Sequence, residues 1–214
     1  MSIVNYVTSV GPNCAASWFC KQHLRVKKFS GPFDWVYSDP DVITDCIEND
    51  FCKFLDMEEY TDHTYHGNGP YIAGHKTYGG KMFEHHDPRL SHYYEYFTRC
   101  VQRFRKVLDS SAPKLFVYLD LNSAPPEDKS NFERLHDMLE KRTSNFTLLL
   151  IFHSISDTPH SMRIEPGWSS KQNIVVASLQ TTDGHCNSDL IDESETVKMV
   201  EFFNRHFTFD LLNL

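Results

Sequence analysis

Phe146-Thr147-Leu148-Leu149-Leu150-Ile151-Phe152 is apolar almost throughout. A strand covered on one face alone alternates polar and apolar residues, so an unbroken run of this length reads as a strand buried on both faces. Asn173–Leu179 reads the same way, and Ile3–Val10 and Leu115–Leu119 supply two more short β-branched runs. Helical patterns separate them. Ala15–Leu24 follows the first run, and Pro40–Leu55 follows with Asp39 as N-cap and Pro40 in the first helical position. Leu90, Tyr94, Phe97, Val101, Phe104 and Leu108 form the longest helical stripe. Ser130-x-x-Glu133 reads as a capping box, and Val197, Val200, Phe203 and Phe207 mark a last helix. Strands alternating with helices define an α/β protein. The expectation is a single three-layer domain over 1–214, with a mostly parallel sheet flanked by helices and an irregular Gly/Tyr/His-rich insertion around 56–82.

That insertion holds five of the nine glycines (67, 69, 74, 79 and 80) together with His63, His66 and His75. A segment of this length is either a lid or binding element or a β-hairpin excursion on Gly turns.

Composition narrows the function. The 214 residues carry 21 Lys+Arg against 29 Asp+Glu, a formal charge of −8, which argues against a nucleic-acid partner with its basic footprint. No apolar run approaches the ~20 residues of a membrane span. The N-terminus lacks the basic region of an export signal, so the expected location is cytoplasmic, with all six cysteines reduced. No Walker loop, G-x-G-x-x-G, H-E-x-x-H or G-x-S-x-G occurs, and no cofactor or metal is expected.

Four constellations can carry chemistry. In Ser9-Val10-Gly11-Pro12-Asn13-Cys14 a strand ends, a tight turn follows and a helix starts, with Asn13 as its N-cap. Cys14 then meets the positive end of the helix dipole, which favours thiolate, and free N–H groups there suit an oxyanion. The same turn, through Gly11 and Asn13, is equally a cradle for a ligand phosphate, and the bland alternative is a small buried cysteine. Phe83-Glu84-His85-His86-Asp87-Pro88 precedes the long helix, with Asp87 as its N-cap; His85 or His86 is a candidate base, or a metal ligand with Asp87, or a solvated cap. Gly31-Pro32-Phe33-Asp34-Trp35 sets a carboxylate between aromatics, either to orient a histidine or bind substrate hydroxyls, or as a hydrophobic anchor. Asp183 and His185, after the last strand, and Asp120, after Leu115–Leu119, complete the candidates at the carboxyl edge, where open α/β sheets bind ligands. Arg99, Arg103 and Lys106 share a helix face that either holds a phosphate or is solvated.

The order Gly11-Pro12-Asn13-Cys14, Pro32-Phe33-Asp34-Trp35, Asn49-Asp50-Phe51, then His85-His86-Asp87 through Arg103-Phe104-Arg105 resembles a poorly characterised family of papain-like cysteine peptidases. The resemblance covers the first half to two-thirds of the chain, and nothing from Glu127 onward matches. It implies a thiol nucleophile at Cys14 and a histidine partner at His86 or His85. It also implies a papain fold, with the cysteine on a long helix against a β-barrel half, whereas the periodicity reads as alternating β and α. Similar proteins occur beside sugar-transferring domains in polysaccharide genes.

Three functions follow as expectations. The first is a cysteine-dependent hydrolase or acyl transferase acting on a peptide, ester or glycan substrate. In it Cys14 attacks, His86 takes the thiol proton, and Asp34, Asp87 or Asp120 orients the imidazole. The second is a glycosyltransferase whose Gly11–Cys14 turn cradles the diphosphate of a nucleotide sugar, assisted by Arg99 or Arg103, with Asp34 or His86 as the acceptor base; for either enzyme Trp35, Asp183 and His185 are further candidate substrate contacts. The third is a non-catalytic binding module.

Overall fold

The computed structural model describes residues 2–63, 72–186, 189–190 and 192–214. His66, Gly67 and Gly69 of the Gly-rich insertion lie outside the described residues. In chain order the elements are β1 (Ser2–Val4), β2 (Tyr6–Ser9), α1 (Ala15–Gln22), α2 (Pro40–Glu48), β3 (Tyr60–Asp62), β4 (Ala73–His75), β5 (Gly79–Phe83) and α3 (Ser91–Asp109). There follow β6 (Lys114–Asp120), α4 (Ser130–Arg142), β7 (Phe146–Ile155), β8 (His160–Ile164), β9 (Ile174–Thr181), β10 (His185–Cys186), β11 (Asp189–Leu190), α5 (Glu193–His206) and β12 (Phe207–Phe209).

The central sheet has the order β2-β6-β7-β9-β8. Its first four strands are parallel and β8 closes the edge antiparallel to β9. The chain is thus an α/β protein with a mostly parallel sheet, as the apolar runs require. Successive residues of β6 point to opposite faces. Leu115, Val117 and Leu119 pack with Ala16, Phe19 and Phe203 from α1 and α5. Phe116 and Tyr118 pack with Ile43, Phe104 and Leu135 from α2, α3 and α4. Among the described residues no helix is long and apolar enough to cross a membrane.

Several boundaries differ from the sequence reading, each for a local reason. The run Ile3–Val10 is two strands: β1 pairs with β12 and β2 with β6, and Asn5 between them donates from Nδ2 to the Asp210 carbonyl at 2.5 Å. Helix α2 stops at Glu48, not Leu55, because Asp50 and Phe51 take positive φ (51° and 61°), which no right-handed helix accommodates. Helix α3 starts at Ser91 with Leu90 in the cap position, so Asp87 is not its N-cap; Asp87 accepts from Arg89 instead. Ser130 is the first residue of α4 rather than its cap, and its N–H is bound by Asp128 Oδ1 at 3.0 Å.

The 56–82 segment contains an antiparallel sheet, β3-β4-β5. A Cβ on Gly74 would stand 2.8 Å from Gly80 Cα, so this glycine pair exists for close backbone approach. The sheet is tied to the 31–38 loop by a bridge between Val36 and Phe83 and by Tyr37 N–H donating to Met82 O at 2.8 Å.

Candidate active site

Strand β2 ends at Ser9, and Gly11 turns the chain with φ +94°, a left-handed value that favours glycine. A Cβ at Gly11 would also lie 2.9 Å from both Ser38 O and Oγ. The turn is pinned on both sides, by Gly11 O accepting from Leu119 N (3.3 Å) and Pro12 O from Ser38 N (2.9 Å). Asn13 Oδ1 accepts from Ala15 N–H at 2.9 Å, and Cys14 itself takes the N-cap position of α1. Asn13 is therefore not the N-cap expected of it but steadies the turn from one residue before the cap. Cys14 is partly exposed at the carboxyl end of a parallel strand. Cys20 and Cys46 are buried, which pushes both thiols up to about 12, and burial raises Cys100 as well. Besides Cys14, only Cys52 is accessible among the described free thiols.

A cleft of about 410 Å³ opens against Pro12, lined by Tyr37, Ser38, Val42, Tyr78 and Gly80. Across the turn, the 31–38 loop covers the open edge of β2. Asp34 is fully buried there: Oδ1 takes the Ser9 hydroxyl at 2.5 Å and the Lys27 ammonium at 2.8 Å, and Oδ2 takes Gly31 N–H at 2.9 Å. Its described partners include no histidine. Trp35, the next residue, meets the ring of His85 edge-on at 5.3 Å, so the loop joins the β2 edge to the histidine pair.

His86 stacks on Tyr93 (4.7 Å, 18°) and meets Tyr96 edge-on at 5.0 Å. Its Nδ1 lies 2.7 Å from the His85 carbonyl, which only an N–H can satisfy, so Nε2 carries the lone pair. Burial lowers its pKa, which keeps the ring neutral near pH 7. The carboxylates expected to orient an imidazole are engaged elsewhere. Asp87 is held ionised by the Arg89 guanidinium (2.8 Å), and Asp120 accepts from Asn122 N–H (2.8 Å) and the Ser123 hydroxyl (2.7 Å).

The other candidates have partners of their own. His185 stands 6.4 Å from the ring of His153, and the Asp183 carbonyl accepts from Thr181. Arg99 pairs with Glu95 at 3.7 Å on the helix surface. Arg103 turns inward, donating to Ser30 O (3.2 Å) and Cys100 Sγ (3.3 Å), and Lys106 lies in the last turn of α3.

Three of the quoted motifs turn out to be one packing unit. Phe33, Phe51 and Phe104 contact one another at centroid separations of 5.8, 5.6 and 5.6 Å. Arg105 donates to Asp50 Oδ1 at 2.9 Å and Arg103 secures Ser30, fastening the rim of the same cluster. Sequence reading missed Ser17, Lys21, Lys27 and Lys28, which line a pocket with Asp34 and Trp35. The spacing Cys14, Ser17, Lys21 on one helix face was the signal that could have found the first two.

The model of the family described as "Putative papain-like cysteine peptidase" matches residues 5–156, about seven-tenths of the chain, and the chain belongs to that family. The match runs through β7, further than the quoted motifs reach, and ends before β8. No curated protein and no solved structure is significantly similar to the chain. Membership supports a cysteine-dependent hydrolase at the level of class. The open sheet and the eight-residue α1 differ from a long helix set against a β-barrel.

Proposed function

We propose that the protein is a cysteine-dependent hydrolase or acyl transferase with Cys14 as nucleophile and His86 as base. The observation that carries the reading is the position of Cys14: a partly exposed thiol capping α1, at the end of β2, in a family of cysteine peptidases. In the first step Cys14 Sγ bonds to the acyl carbon while its proton passes to His86 Nε2. The carbonyl electron pair moves to oxygen, where N–H groups of the turn and the helix dipole stabilise it. Ala15 N–H is taken by Asn13 and is not among those donors. Collapse expels the leaving group with the proton from His86, and water or an acceptor nucleophile then cleaves the thioester. The His85 carbonyl replaces a carboxylate in orienting the base, fixing the tautomer without adding charge.

The test is the alkylation rate of each cysteine against pH, read by mass spectrometry, with Cys52 as internal reference. Cys14 is expected to label fast well below pH ~8.5, the ordinary thiol pKa, and His86→Ala to remove that advantage. Cys14→Ala is expected to abolish turnover of acyl substrates while leaving the unfolding midpoint in place. Labelling of Cys14 no faster than Cys52 at every pH would overturn the assignment.

A further inference from the structure

The pocket below Cys14 has a chemistry of its own. It encloses about 190 Å³, and Ser17, Lys21, Lys27, Lys28, Asp34 and Trp35 line it. Three ammonium groups face one carboxylate in a chain whose formal charge is −8, so the local sign is the reverse of the whole. Asp34 offsets only Lys27, and its oxygens are otherwise committed to Ser9 and Gly31 N–H, so the charges of Lys21 and Lys28 remain.

Two buried groups in the lining have donor capacity left over. The Ser17 side chain is 1% exposed and its Oγ has no hydrogen-bond partner. The Lys27 side chain is 5% exposed; its ammonium is near Asp34 but makes no aligned hydrogen bond. Buried polar atoms are ordinarily satisfied, and orphaned donors in a pocket mark what is missing from it. Lys21 and Lys28 form no ion pair among the described residues, which leaves their charge available at the mouth.

We propose that this pocket is the subsite for an anionic oxo-group, carboxylate or phosphate, carried by the substrate that acylates Cys14. The inference deepens the Cys14 assignment and rests on it for the word substrate, though not for the pocket's preference for anions. Ser17 lies three residues beyond Cys14 and Lys21 seven, so all three share one face of α1, and a group held at Ser17 stands one helical turn from the thiol. The volume equals roughly six waters at ~30 Å³ each, enough for a tetrahedral or planar oxyanion and the first atoms of its chain.

The test compares iodoacetate with iodoacetamide on the full chain. Both form the same S–C bond and release iodide, and they differ in the carboxylate that only iodoacetate carries. The ratio of the iodoacetate to the iodoacetamide rate is expected to be about tenfold higher at Cys14 than at Cys52, the scale on which a cleft of one charge sign concentrates counter-ions. Lys21→Gln with Lys28→Gln should bring the Cys14 ratio down to that of Cys52, and Ser17→Ala should lower it. Inorganic phosphate at millimolar concentration should slow iodoacetate at Cys14 and leave iodoacetamide at Cys52 unchanged if the pocket accepts phosphate. Protection by acetate without protection by phosphate would assign it to carboxylates. Equal ratios at Cys14 and Cys52, with no protection by either anion, would overturn the proposal even if Cys14 proves reactive. A high ratio at a Cys14 of ordinary thiol reactivity would keep the anion site and remove the nucleophile.

Discussion

Two polar clusters sit at the carboxyl edge of the sheet, and they differ in how fully their atoms are satisfied. Around His153 both ring nitrogens have a partner. The ring is 1% exposed, Nδ1 reaches the Leu121 carbonyl at 2.8 Å, and Nε2 meets the Thr181 hydroxyl at 2.7 Å. The neutral ring that burial favours donates at Nδ1, and its Nε2 competes with the Asp183 carbonyl for the single proton of the Thr181 hydroxyl. Beside Cys14, by contrast, Thr8 Oγ1, Ser17 Oγ, Lys27 Nζ and Ser38 Oγ are buried without hydrogen-bond partners. A closed network holds two loops together, while an open one next to a pocket retains the means to bind something. Histidine at a strand end is therefore not in itself a sign of chemistry; the count of its remaining lone pairs is.

The contrast can be broken at several points. The largest stability effect belongs to Asp34→Ala, which strands the Lys27 ammonium in the interior. It is expected to cost about 3–5 kcal/mol in urea unfolding, and a cost below about 1 kcal/mol would show that the pair behaves as a surface pair. His153→Leu orphans the Leu121 carbonyl and should cost about 1–3 kcal/mol, with Cys14 alkylation unchanged. His86→Ala should show the opposite pattern, losing Cys14 reactivity at a cost of no more than about 1 kcal/mol. If the two variants behave alike, the distinction between the clusters fails.

The pH dependence sharpens the comparison with a smaller effect. Burial lowers the pKa of His75, His86 and His153 in the folded state. The unfolded chain therefore binds protons first as pH falls. The contribution of these rings is fully present above their unfolded pKa near ~6.5 and is lost progressively below it. Each can contribute a slope of up to about 1.4 kcal/mol per pH unit. The urea midpoint should fall between pH 7 and 5, ahead of carboxylate titration, and His153→Leu should flatten that fall. A flat midpoint over this range would contradict the burial of these rings.

Much of the architecture was legible in the residues. Leu115–Leu119, Phe146–Phe152 and Asn173–Leu179 are strands where periodicity puts them, and Cys14 stands at a strand–turn–helix junction as its neighbours imply. The helix ends were less legible, because Asp50 and Phe51 take left-handed φ to bring Phe51 into an aromatic cluster that local propensity does not register. Motifs were the least legible part. Phe33-Asp34-Trp35 resembles a chemical site in sequence, yet Phe33 is core, Asp34 anchors the loop through Ser9 and Lys27, and Trp35 alone reaches the histidine pair.

What the sequence determined by itself is the alternation of elements and the turn that presents Cys14, since both depend on residues within a few positions of one another. Tertiary structure alone decided which polar residues are consumed and which are left open. Arg103 reaches Ser30 across 73 positions and Ser9 reaches Asp34 across 25, and whether a donor finds its acceptor at such distances depends on how the sheet and its covering loops pack. Hydrogen-bond satisfaction is a property of that packing, and a residue's own chemistry does not reveal it.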